Sequence, residues 1–142
     1  MTWHRPASEL ASGRADVVVT PASAGWTFSG LQVFTMIAGA DVTIDLDENE
    51  AVIVPLSATD VEVEVDGQSF VLKGRTGVFA AVTDWLYAPL RSRVTLRGSI
   101  GEVAVCTAVA RIVHPVAYTD AAAVPVEVRG AGRATRQITN IA

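Results

Sequence analysis

Arg129, Arg133, Arg136 and Asn140 form the part of this sequence best equipped to meet a ligand, three guanidiniums and an amide set in a polar stretch with Gly130 and Gly132. A guanidinium offers a planar fork of donors that matches a carboxylate, so such a segment suits an anionic partner. The glycines read as turn formers that permit positive φ. A catalytic centre to face this segment is harder to find. His4 and His114 are the only histidines, and neither has metal-ligand spacing to another His, Cys or Glu. Both read as ordinary surface or arm histidines. Cys106 follows Val103-Ala104-Val105 and reads as a small buried side chain rather than a reactive thiolate. Asp45, Asp47 and Glu50 supply carboxylates, but carboxylates on a strand edge specify no reaction. Neither a phosphate loop nor a Gly-x-Ser-x-Gly elbow is present. Catalytic residues in this chain: none are assigned.

The elements that must carry these residues have a period of two. Residues 60–66 alternate Asp-Val-Glu-Val-Glu-Val-Asp without a break, Asp66-Gly67 is a hairpin dipeptide, and 69–72 return. Further strands are predicted at 16–20, 31–37, 42–46, 51–56, 78–82, 85–87, 93–97, 102–107, 111–113 and 124–129. Short clusters of Gly, Pro, Ser and Asp separate them, and no window sustains helical spacing. Many short, closely spaced strands predict an all-β sandwich or barrel. Residues 3–14 and 130–142 read as extended arms at the two ends. Trp26, Trp85 and Tyr87 read as core aromatics, with sugar stacking as the alternative use.

The 142 residues suit one domain, 1–142, with half of them apolar. That apolar share is high for a lone soluble domain and predicts surface buried against a partner or second domain. No apolar run reaches the ~20 residues needed to span a bilayer, so no membrane partner is expected. A net charge of −4 argues against a nucleic-acid surface. Nine acidic residues and no Lys or Arg lie between Asp41 and Asp66, whereas Arg91, Arg93, Arg97 and Arg111 come later. The acidic block reads as a solvated sheet face that pairs locally with that later charge. A single cysteine and the absence of a recognisable secretory segment at the N-terminus predict a cytoplasmic protein.

A family resemblance runs through essentially the whole chain. It is carried by His4-Arg5-Pro6, Val19-Thr20-Pro21, Ala24-Gly25-Trp26-Thr27-Phe28-Ser29-Gly30, Val54-Pro55-Leu56-Ser57 and the Val63 to Gly67 stretch. Gly74-Arg75 with Gly77-Val78-Phe79, Asp84-Trp85-Leu86-Tyr87-Ala88-Pro89, and Val126-Glu127-Val128-Arg129-Gly130-Ala131-Gly132 with Arg136-Gln137 and Asn140 complete it. The chain resembles the N-terminal half of the bacterial 5-deoxy-glucuronate isomerases of myo-inositol breakdown, relatives of the ketol-isomerases that act on a 5-keto uronate in pectin degradation.

The resemblance implies a single cupin-type barrel (double-stranded β-helix or jelly roll), the first of two in tandem. The implied cofactor is a divalent metal, zinc or similar, held in the C-terminal barrel by three histidines and a glutamate. Metal ligands in this chain: none are expected, since the matching His-x-His positions fall on Asp45 and Asp47, with Glu50 near the acid position. Oxygen ligands alone suit such a metal poorly, so a degenerate site is expected. The implied reaction converts 5-deoxy-D-glucuronate to 2-deoxy-5-keto-D-gluconate. Arg129, Arg133, Arg136 and Asn140 become candidate substrate-binding residues for its carboxylate, or else interdomain hydrogen-bond donors. The implied partners are the C-terminal barrel and further copies of the protein. The alternative is a free-standing, non-catalytic cupin that binds a sugar acid or serves as a dimerisation module.

Overall fold

In the computed structural model, residues 4–141 are described. After a 3-10 turn at Ala7–Glu9 come β1 (Val17–Val19) and the one-turn helix α1 (Pro21–Ala24). Thr20 and Ser23 cap α1 reciprocally, and Gly25 ends it in the left-handed region. Strands β2 (Ser29–Met36), β3 (Val42–Asp45), β4 (Asn49–Pro55), β5 (Thr59–Val65) and β6 (Gln68–Gly74) come next. The remainder comprises β7 (Trp85–Ala88), β8 (Arg93–Arg97), β9 (Gly101–Val109), β10 (Ala117–Thr119), β11 (Val126–Arg129) and β12 (Arg136–Thr139). Among the described residues no helix is long and apolar enough to cross a membrane.

From β2 to β9 the chain shuttles between two sheets, a jelly-roll path. The larger sheet has the order β1-β2-β9-β4-β7-β10, the smaller β3-β8-β5-β6, and β11 and β12 form a separate hairpin. Among the described residues no ladder joins the two main sheets, so the expected barrel takes the form of a sandwich closed by side chains. Alternation explains the closure. Val61, Val63 and Val65 are buried while Asp60 and Glu62 face solvent, and Phe34, Met36, Ile53, Leu86, Val103 and Val105 meet them from the larger sheet. Each fully buried side chain of this size contributes about 1.5–3 kcal/mol.

The outward faces of the two sheets differ. Thr43, Asp45, Glu62, Glu64, Arg93 and Arg97 occupy the smaller sheet's face, where Arg97 contacts Asp41 at 2.9 Å and Glu64 at 2.7 Å. This is the solvated acidic face expected from the alternation, paired with the later arginines. Cross-strand register gives the larger sheet two aliphatic rows instead. One runs Val19, Leu31, Cys106, Val52 to Tyr87, the other Val17, Val33, Ala104 to Val54.

Several elements depart from the sequence reading. Residues 78–82 form a loop rather than a strand, because Arg75 donates to the carbonyl oxygens of Val78 and Ala81 at 3.2 and 3.1 Å. Residues 111–113 form no strand either; Ile112 and Val113 are exposed beside the His114-Pro115 pair, whose proline has no N–H for a ladder. Two strands lie where none was expected. β10 pairs with β7, and β12 turns the expected C-terminal arm into a hairpin strand. Gly74 joins β6 to the loop with φ 67°, and a Cβ there would run into the Ala58 carbonyl.

Candidate functional site

The four sequence-predicted substrate residues all lie on the β11–β12 hairpin. Its register sets Arg129 opposite Arg136 and Glu127 opposite Ile138, so both arginines share a face. A 3-10 turn at Gly132–Ala134 places Arg133 at the exposed tip. Gly130 has φ 90°, and a Cβ there would meet the Ala134 carbonyl, so the tight turn demands glycine.

The hairpin brings two of the four residues together on a carboxylate of its own. Arg129 Nε and Nη2 donate to Glu127 Oε2 at 2.9 and 2.7 Å, and Asn140 Nδ2 donates to Glu127 Oε1 at 3.0 Å. Arg136 Nη1 reaches only the Ala134 carbonyl, at 3.4 Å, and Arg133 contacts no carboxylate among the described residues. Arg133 and Arg136 are therefore the guanidiniums open to an incoming anion. The Arg129 pair is solvent-exposed, where exchange for another carboxylate costs little.

The expected degenerate metal site is not in the interior. Asp45 faces out from the smaller sheet, where it accepts from Arg93 Nε at 2.7 Å. That hydrogen bond, with the guanidinium charge, holds its carboxyl below the usual aspartate range. Asp47 lies beyond the strand end with φ 47°, exposed. The inward positions beside them are Ile44 and Leu46, both buried among aliphatic neighbours. Glu50 points outward from the larger sheet and accepts from Tyr87 Oη at 2.7 Å. Among the described residues no three His, Cys, Asp or Glu side chains are grouped to hold a metal ion. The aliphatic filling does not fit a metal of this chemistry.

Two of the open concavities among the described residues lie over the outward faces of the sheets. One of about 790 Å³ lies over the smaller sheet's outward face, where Asp45, Asp47, Glu48, Glu64 and Asp66 outnumber Arg91 and Arg93. That excess of carboxylates repels a sugar acid. The other, about 590 Å³, lies over the aliphatic rows of the larger sheet and is bordered by Glu50, Arg75, Tyr87 and Ile141. Cys106 is exposed in it rather than buried as expected, because its place in the alternation selects the outward face. Apolar neighbours push its thiol pKa up, which disfavours the thiolate.

Of the expected core aromatics, Trp26 is exposed in the segment after α1, while Trp85 and Tyr87 are half-buried. His4 is exposed, and Trp3 lies outside the described residues. The His114 ring meets Tyr87 edge-on, with centroids 6.4 Å apart.

One buried group escaped the sequence reading. Asp84, only 1% exposed, accepts from the backbone N–H groups of Lys73 and Gly74 at 2.7 and 3.0 Å and from Tyr118 Oη at 2.9 Å. It ties β6 to β10 across the loop. A lone acid directly before the apolar run Trp85-Leu86 was the available signal.

An aliphatic interior and a basic hairpin fix no lineage by themselves. The KduI/IolB family matches residues 3–142. The chain belongs to the KduI/IolB family. It is 29% identical over 128 residues to the 5-deoxy-glucuronate isomerase of Geobacillus kaustophilus (strain HTA426), covering 88% of this chain and 46% of that protein. It is 30% identical over 128 residues to the enzyme of the same name from Geobacillus thermodenitrificans (strain NG80-2), with the same coverage. The chain thus spans about half the length of the curated relatives it matches. A crystal structure of an IolB-like protein from Salmonella typhimurium LT2 superposes with a TM-score of 0.82 at 28% identity, over 92% of this chain and 50% of that one. A cupin protein from Bacteroides fragilis superposes with a TM-score of 0.51 at 17% identity, over 81% of this chain and 92% of that one, a likeness of fold. The KduI/IolB chain is thus cupin-like, and its hairpin lies inside the family match.

Proposed function

We propose that this chain is the N-terminal barrel of a 5-deoxy-glucuronate isomerase, converting 5-deoxy-D-glucuronate to 2-deoxy-5-keto-D-gluconate in cytoplasmic myo-inositol catabolism. The observation that carries the reading is the alignment of 128 residues to curated enzymes of that name. In this reading the reacting centre and its divalent metal belong to a C-terminal barrel. The interior of the present barrel is aliphatic and does not fit that metal, so no step is assigned to it.

Aldose to ketose interconversion moves a proton between neighbouring carbons through an enediol, and a sugar acid must be held still by its carboxylate while this occurs. The contribution of this chain is that grip. Arg133 and Arg136 offer free guanidinium donors on the hairpin, and Arg129 becomes available when the substrate carboxylate replaces Glu127. A second reading is a free-standing, non-catalytic cupin, supported at the level of fold alone by the superposition that spans 92% of the Bacteroides fragilis cupin protein.

Reading the coding frame past codon 142, with the intact mass of the native protein, separates the two. A frame that continues into a barrel bearing a histidine-rich ligand set, and a native protein active on 5-deoxy-D-glucuronate, are expected. A stop after Ala142 with a native mass of 14.9 kDa would leave the free-standing reading.

A further inference from the structure

We propose that residues 111–141 form a strap that opens from the barrel as a unit, with Ala117–Asp120 as its clasp and the Tyr118–Asp84 hydrogen bond as the lock of that clasp. This rests on the hydrogen bonds of the chain and not on the isomerase reading. Among the described residues, every hydrogen bond that reaches from the strap to the rest of the chain falls within Ala117–Asp120. Exposed residues 111–115 lead into the clasp, and Pro115, which has no N–H, cannot extend its ladder.

Beyond the clasp, little holds the strap to the barrel. Val124 alone is buried among the described residues of the strap, Val116 packs against the core, and Ile141 borders the hollow over the larger sheet. The β11–β12 hairpin makes its hydrogen bonds only within the strap, including Asn140 N–H to the Pro125 carbonyl at 3.0 Å. A two-stranded hairpin is marginally stable in water by itself. Its order therefore depends on the clasp being closed.

The bonds of the clasp are unequal. β10 lies at the edge of the larger sheet and sets Ala117, Tyr118 and Thr119 opposite Tyr87, Leu86 and Trp85, a ladder on one side only. The Lys73–Asp120 pair, at 3.1 Å, is exposed on both partners and adds little. Tyr118 Oη donates at 2.9 Å to the buried Asp84, and a hydrogen bond to a charged acceptor is among the stronger kinds. When Tyr118 leaves, Asp84 keeps the N–H groups of Lys73 and Gly74, so opening does not orphan a buried carboxylate. No such release exists for β4, which is paired on both sides and buries Ala51 and Ile53 in the core. Segments held by few and exposed bonds open at a lower free energy than the whole fold. Arg129, Arg133 and Arg136 all lie on the strap, so the clasp decides whether these guanidiniums are fixed against the barrel or move free of it.

Native-state hydrogen exchange of the 142-residue chain in low urea tests the strap. The amides of β10 and of the β11–β12 hairpin are expected to share one opening free energy, below that of β4 and β9 and with a shallower dependence on urea. Tyr118→Phe, which removes only the hydroxyl, is expected to speed exchange in β10 and the hairpin together, roughly 10-fold. Ile44→Val, in the core of the smaller sheet, is expected to speed β4 and β9 roughly 5-fold while leaving the strap as it was, because the barrel stays folded when the strap opens. Circular dichroism establishes that both variants are folded. Strap amides that exchange only with the core, a hairpin indifferent to Tyr118→Phe, or a strap that follows Ile44→Val as closely as β4 does would each overturn the proposal.

Discussion

Both tyrosines of the chain donate to carboxylates, Tyr87 to Glu50 and Tyr118 to Asp84. Burial first, then the neighbouring carboxylate, pushes each phenol pKa up from 10.0 to about 12. The neutral phenol is favoured in the fold, so the stabilisation is complete below pH 10.0 and is lost as pH rises towards 12. Ultraviolet titration should show phenolate appearing near pH 12 in the folded protein and near 10 in denaturant. A folded-state midpoint near 10.0 would contradict both hydrogen bonds. Asp84 is the other decisive side chain. Replacing it with Ala leaves two backbone donors without their acceptor, and urea denaturation should register a loss of about 3 kcal/mol. Asp84→Asn retains one acceptor oxygen and should lose less.

At the level of elements, the junction after β6 sets the course of the loop that leads to β7. Gly74 has positive φ and leaves no room for a Cβ beside Ala58, Asp84 holds the Gly74 N–H, and Arg75 takes the Val78 and Ala81 carbonyls that a strand at 78–82 would have offered to a ladder. Gly74→Ala should therefore cost about 2–4 kcal/mol, read as a fall in the urea midpoint, with weakened hydrogen-exchange protection in the loop. The strand at 60–66 was legible because its alternation is unbroken and Asp66-Gly67 comes directly after it. β12 was not legible, since Arg136-Gln137-Ile138-Thr139 has one strongly apolar residue and takes its strand geometry from pairing with β11. The hairpin placed the expected site residues on one element, yet the use of Glu127 as their internal anchor depended on a fold no spacing rule reveals.

For the whole molecule, carboxyls held by local hydrogen bonds at separate places in the fold contribute to the response to acid. The carboxyls of Asp16, Asp45 and Asp120 are held below the ordinary aspartate value of 3.8. The leading causes are hydrogen bonds from Thr35, Arg93 and the Ala122 backbone respectively. Their contribution is present above pH 3.8 and is lost as pH falls through the lowered values. Melting temperature should drop below pH 3.8, and Asp45→Asn should flatten part of that drop. Because these groups are exposed, added salt should shrink the effect. A melting curve unchanged between neutral pH and that window would show the pairs to be energetically idle.

The sequence alone determined the all-β class, most strands, the solvated acidic face and the likeness to the isomerases, because alternation, turn dipeptides and ordered motifs are local properties of the chain. Tertiary structure decided the rest. Whether an outward strand position meets solvent, a hollow or a neighbour depends on which strands lie beside it, and no local rule gives that order. Hence Cys106, expected in the core, stands in an open hollow, and Asp45, matched to a metal ligand, stands in an ion pair on the outer face. Asp84, whose motif marked the family resemblance but not its role, holds three hydrogen bonds that join β6 to β10, because folding brings distant donors to one buried carboxylate.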